Sequence, residues 1–352
     1  MVTHITKKVK KDSNVKRKPK NFNALIILSF LIGVLLLFST YAWFYSSLDV
    51  KIKFVNLVVS NDAGLTISFD GVNFGSTIQI SKENLIEKLK ETYPNNTSQW
   101  PTFGLRPVSS NGISNPNQDK FNVFYTSGVT YEDEAWTKSS LTTARAHEDE
   151  ISELSSFVAF DIFFKNVTGS PISDNLYLDN GTDIILESKE DEEIQGLLNS
   201  IRIGFVKIGS VPLDADINSI QNMGCNNNCQ EVIYEPFSTN HTNLSISRVE
   251  KYGINLLNGQ YYPTYAMINS VNGIDLRDIV YGQDKENFEL QITRFDINQP
   301  LFEIPDGITK ARMYIWLEGQ DIDSFETKSK GADLSVRVNF IKDTAGYDYF
   351  NE

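Results

Sequence analysis

The chain has 352 residues, with 32 basic and 45 acidic side chains and a formal net charge of −13. Residues 1–20 carry eight of the basic residues and one acid, Asp12; residues 21–44 carry no formal charge; the remainder sets 24 basic against 44 acidic residues. So acidic a surface repels a phosphate backbone, which excludes nucleic acid as an expected partner and makes a solvated acidic face the default reading.

Residues 24–44 read Ala-Leu-Ile-Ile-Leu-Ser-Phe-Leu-Ile-Gly-Val-Leu-Leu-Leu-Phe-Ser-Thr-Tyr-Ala-Trp-Phe. As a helix they reach about 30 Å, the thickness of a bilayer's hydrocarbon core. The flank holds Lys7, Lys8, Lys10, Lys11, Lys16, Arg17, Lys18 and Lys20. The positive-inside rule therefore keeps residues 1–23 in the cytoplasm and delivers 45–352 to the exterior. Two readings stay open. Thr40-Tyr41-Ala42 suits signal cleavage after Ala42, releasing a secreted protein that starts at Trp43. Alternatively the segment stays as a single-pass signal anchor, with Tyr41, Trp43, Phe44 and Tyr45 as an aromatic belt at the outer interface.

The exterior part is long enough for one large domain or two lobes, and it reads as mostly β. Residues 49–60 alternate at Val50, Ile52 and Phe54, and short strands are expected at 64–71 and 76–81. Ser81 caps an expected helix carrying Leu85, Ile86 and Leu89. Residues 92–119, rich in Pro, Asn and Ser, read as a long loop. Strand signals resume at 121–125 and at 156–165, where Val158, Phe160, Ile162 and Phe164 share one face. Residues 176–186 carry β-prone runs on both sides of Asn180-Gly181, a pair suited to a two-residue hairpin turn. A short acidic helix is expected at 189–198 and a strand at 201–208, followed by a loop-rich stretch from 209 to 275. Cys225 and Cys229 lie in that stretch; in an oxidising exterior they read as a disulfide closing a polar loop, with free thiols or a metal or redox pair as the alternatives. Strands at 311–319 and 333–341 close the pattern; in the second, Leu334, Val336, Val338 and Phe340 alternate with Ser335, Arg337 and Asn339. The expected architecture is an antiparallel β-sandwich with a few short helices, preceded by one transmembrane or signal helix.

Several stretches together resemble the camelysin/TasA-like class of exported proteins of Gram-positive bacteria and their low-GC relatives. They are Ser-Thr-Tyr-Ala-Trp-Phe (39–44), Arg-Pro-Val-Ser-Ser-Asn-Gly (106–112), Ala-Phe-Asp-Ile-Phe-Phe-Lys-Asn (159–166), Leu-Tyr-Leu-Asp (176–179), Ile-Arg-Ile-Gly-Phe (201–205) and Ile-Trp-Leu-Glu-Gly-Gln-Asp (315–321). The resemblance implies a β-sandwich exterior with a surface or biofilm-matrix role and carries over no catalytic residue. The long basic tail departs from the class and puts free fibre assembly in doubt.

No motif announces an enzyme. His147-Glu148-Asp149-Glu150 begins like a zinc-protease His-Glu-x-x-His, but Ile151 stands where the second His belongs. Asp214-x-Asp216-x-Asn218 offers alternating oxygen ligands for calcium but lacks the glycine and distal glutamate of an EF-hand loop. Asp321 and Asp323 follow a strand end and are expected to meet Asp174 or Asp179 if they share a cation site. Tyr314 and Trp316 alternate with Met313, Ile315 and Leu317, so one set is core and the other a surface aromatic pair or a second core. The expectation is a non-enzymatic surface or secreted structural protein with no cofactor, held by the membrane through residues 24–44; if cleavage frees residues 43–60, they are expected to add as a strand to a neighbour's sheet edge. A membrane-anchored glycan- or calcium-binding module is the alternative, and a camelysin-like metalloprotease a third reading.

Overall fold

The computed structural model describes residues 27–30, 50–60, 64–102, 104–115, 120–121, 123–125, 145–146, 156–187, 192–225, 229–251, 254–269, 286–291, 298–324 and 332–343. Most of residues 24–44, with Ala42, and His147 to Glu150 lie outside them. Among the described residues no helix is long and apolar enough to cross a membrane. The chain divides into a unit Met1–Ser47 and a larger unit Leu48–Glu352, and every described strand lies in the larger one.

In chain order the strands are β1 (Val50–Val59), β2 (Leu65–Ser68), β3 (Thr77–Ile80), β4 (Pro107–Ser109), β5 (Ser114–Asn115), β6 (Lys120–Phe121), β7 (Val123–Tyr125), β8 (Arg145–Ala146) and β9 (Val158–Asn166). They continue as β10 (Asp174–Leu178), β11 (Asp183–Leu186), β12 (Ile201–Val211), β13 (Gln230–Tyr234), β14 (Tyr265–Met267), β15 (Phe288–Leu290), β16 (Phe302–Ile304), β17 (Gly307–Glu318) and β18 (Ala332–Asp343). A π-helical turn, Glu83–Lys88, runs into α1 (Leu89–Thr92); the other helices are α2 (Glu192–Asn199), α3 (Ile217–Gln221) and α4 (Asn243–Lys251). The fold is mostly β, with two large sheets and a few short helices. The first sheet runs β16-β10-β18-β1-β3, with β11 also on β18. The second runs β13-β12-β17-β4-β7-β8, with β9 on β17 and β2 on β9.

Two pairings correct the wholly antiparallel expectation: β1 lies parallel to β18, and β17 parallel to β4. Parallel neighbours need a long connection, and almost the whole domain lies between β1 and β18. The 176–186 hairpin is also corrected. β10 and β11 do not pair with each other; both run antiparallel to β18, at Asn175–Leu178 and at Asp183–Leu186. The four residues between them form a bulged turn tied to β18 by the Asp179 amide and the Thr182 hydroxyl, which both donate to the Asn339 carbonyl. A Cβ at Gly181 would meet the Asn339 side-chain amide, so a larger residue there would push that side chain aside.

The shared core lies between the sheets. Val55 and Leu57 of β1 and Val336, Val338 and Phe340 of β18 join Phe160, Phe164, Phe205, Met313 and Ile315 of the second sheet in one cluster. Phe164 and Phe205 meet Phe340 edge-on, with ring centroids 5.0 and 5.9 Å apart. The second sheet is also covered on its outer face. Phe121, from the β5–β6 ribbon, stacks on Tyr314 at 4.5 Å and meets Trp316 edge-on. Tyr314 and Trp316 are thus a second core and not a surface pair. Gly204, opposite Tyr314, makes room for this layer: a Cβ there would press into the Phe121 ring.

Candidate functional site: charged clusters on the outer face of the second sheet

Alternation along β17 sends Met313, Ile315 and Leu317 into the shared core and Lys310, Arg312, Tyr314, Trp316 and Glu318 to the outer face. That face therefore has an aromatic centre and a charged group at each end, all of it buried.

At one end Asp161 of β9 stands opposite Arg312 in register. Arg312 Nη1 donates to Asp161 Oδ1 at 2.9 Å and Nη2 donates to the Thr97 carbonyl at 2.8 Å. Lys310 Nζ lies 3.3 Å from Asp161 Oδ2 and donates to the Tyr93 hydroxyl and the Gln221 carbonyl. Tyr93, whose hydroxyl donates to Asp161 Oδ2, closes the cluster from the end of α1. Burial pushes the Asp161 carboxyl up, but the Lys310 and Arg312 charges outweigh it and hold it below the usual range. Burial, then the Asp161 charge, push the Tyr93 phenol far up.

At the other end the buried Arg202 of β12 bridges Glu235 at 2.8 Å and Asp321, and its Nη1 donates to the Asn199 carbonyl. Glu318 accepts from Trp316 Nε1, Gln291 Nε2 and the Gln320 amide, yet burial still pushes its carboxyl up. Asp323 Oδ2 meets His241 Nδ1 at 2.8 Å, and its Oδ1 accepts from the Thr242 amide, which fixes the start of α4. Burial pulls the His241 pKa down, but the Asp323 hydrogen bond and the charges of Asp321, Asp323 and Glu235 raise it. Asp323, pushed up by burial, is brought below its usual value by His241 and the other donors.

His241, Asp321 and Asp323 present ligand atoms within 4.8 Å of one another. Both carboxylates are already committed, Asp321 to the Arg202 guanidinium and Asp323 to the α4 cap. A cation would compete with both, and this set of donors is built as an ion-pair network.

The expected partners of Asp321 and Asp323 are elsewhere. Asp179 accepts from the amide of Asn180 in the bulged turn, and Asp174 pairs with Lys342. The Asp214-x-Asp216-x-Asn218 pattern starts α3: Asp216 Oδ1 accepts from the Asn218 and Ser219 amides and Oδ2 from the Ser219 hydroxyl. Cys225 and Cys229 are bonded to each other just beyond α3. The sequence pattern does not single out His241 or Arg202. The signal available for His241 is local: Thr242 and Ser245 at cap spacing mark the helix start beside it.

No family model, no curated protein and no solved structure matches the chain.

Proposed function

We propose that the chain is a non-enzymatic structural or adhesion protein of the cell surface, camelysin/TasA-like, with a β-sandwich exterior held by the 24–44 segment or released after Ala42. The observation that carries this reading is the position of β1. It begins six residues after Phe44 and is paired on both sides, parallel to β18 and antiparallel to β3. The first and last described strands therefore lie side by side, and their outer ends point in opposite directions. Tension between a tether before Val50 and a partner near Asp343 shears the whole ladder at once instead of peeling it. The buried carboxylates support the same reading, since Asp161, Asp321 and Asp323 are each committed to donors of their own chain. Self-association through residues 43–60 then requires exchange of β1 between copies, because β1 fills its own sheet.

Protease added to intact cells tests the reading. The expected result is loss of the exterior domain with the basic tail protected, or a mature protein starting at Trp43 in the medium. A full-length chain confined to the cytosolic fraction contradicts it.

A further inference from the structure

The geometry points to an intramolecular amide bond between Lys342 and Asn166, formed with release of ammonia and with Asp174 carrying the protons. The inference does not depend on where the protein is placed in the cell.

Three side chains meet where the two sheets approach at one end: Asn166, the last residue of β9 in the second sheet; Asp174, the first of β10; and Lys342, near the end of β18. They are 0%, 2% and 4% exposed. Lys342 Nζ donates to Asn166 Oδ1 at 2.8 Å and to Asp174 Oδ2 at 2.8 Å. Asn166 Nδ2 donates to the same Asp174 Oδ2 at 3.0 Å and to the Ile304 carbonyl at 3.1 Å. The amide orientation is fixed by these partners: its NH2 faces a carboxylate and a carbonyl, and its oxygen faces an ammonium.

This arrangement differs from an ordinary buried ion pair in two respects. An electrophilic carbon lies within reach of the amine, since Asn166 Cγ is one C=O length from Oδ1 and so at most about 4 Å from Nζ. In addition, one carboxylate oxygen bridges the attacking nitrogen and the leaving nitrogen. Lys310 provides the internal contrast: its partners are a carboxylate, a phenol and main-chain carbonyls, with no side-chain amide carbon presented to it.

The step balances without a further reactant. The Lys342 ammonium passes a proton to Asp174, to which it already donates, and this leaves a neutral amine and a neutral carboxyl. The Nζ lone pair forms a bond to Asn166 Cγ, and the carbonyl π electrons move to Oδ1. Asp174 gives its proton to Nδ2 and takes one from Nζ. The carbonyl re-forms, the Cγ–Nδ2 bond breaks with its electron pair on nitrogen, and ammonia leaves, taking up the remaining proton as ammonium. Nothing is oxidised or reduced. The product ties β18, the strand beside β1, covalently to the opposite sheet.

Intact mass and tryptic mapping of the purified full chain test this. The expected mass is lower than that of the disulfide-bonded sequence by one ammonia, with a branched peptide joining Asn166 to Lys342 and no tryptic cleavage after Lys342. Lys342→Arg and Asp174→Asn are expected to restore the full mass and lower the Tm. A wild-type chain of full mass, or one whose Lys342 is acetylated after denaturation, overturns the inference. Ammonia lost from an Asn-Gly pair such as Asn180-Gly181, with Lys342 still reactive, also overturns it. A cross-link that persists in Asp174→Asn removes Asp174 from the mechanism.

Discussion

The two sheets share one core and differ on their other faces. In the first sheet β18 buries Leu334, Val336, Val338 and Phe340 while Arg337 is exposed and Asn339 half-buried. In the second sheet every residue of β17 is buried. The second sheet is thus a middle layer, with the shared core on one side and an aromatic and charged layer on the other. The difference teaches that, of these two faces, the outer side of the second sheet is where ionisable groups are buried together, because among the described residues more chain covers the sheet there.

Substitutions on the covered face sharpen the contrast. Asp161→Ala leaves Arg312 and Lys310 buried without their carboxylate and is expected to cost about 3–5 kcal/mol in a denaturant titration. Phe121→Ala opens the space above Tyr314 and Trp316 and is expected to cost about 3 kcal/mol, at the lower end for a buried Phe because the two-stranded ribbon can settle inward. Gly204→Ala forces Phe121 and Trp316 apart, for about 1–3 kcal/mol. Arg337→Ser, on the open face of β18, is expected to leave the Tm unchanged. Equal losses for Phe121→Ala and Arg337→Ser would break the comparison.

A pH titration probes the Arg202 end. Asp323, with its pKa below 3.8 in the fold, stabilises fully above that value and loses its contribution as the pH falls through the lowered pKa. His241, with its pKa above 6.5 in the fold, stabilises fully below 6.5 and loses its contribution as the pH rises through the raised pKa. The pair therefore contributes most between pH 3.8 and 6.5. Asp323→Asn is expected to flatten both limbs of the Tm–pH curve; an unchanged curve contradicts the assignment.

Strands whose two faces differ are legible in the sequence: β18 alternates where the sequence places it, and β1 spans the expected residues, but a register shift after Ile52 breaks its expected alternation, leaving Phe54 half-buried and burying Val55. β9 is legible as a strand, but both its faces are buried, and a period of two cannot report a second covering layer contributed by a distant ribbon. Asn180-Gly181 carries a hairpin signal, yet the register of β10 and β11 is set by their pairing with β18 and not by their own turn. Of the charged cluster, Asp321 and Asp323 stand out through their spacing. Arg202 and His241 do not, because they come from a strand and a loop about 120 and 80 residues earlier in the chain and only the register of β12 with β17 and the α4 cap bring them in.

Single-molecule pulling tests the central claim that β1 and β18 carry tension in shear. One tether is placed before Val50 or at Ser60→Cys, and the other just after Asp343. The parallel β1–β18 ladder predicts a markedly higher unfolding force from the Val50 end, where the ladder is sheared, than from Ser60, where it is peeled. Equal forces from the two attachment points would contradict it.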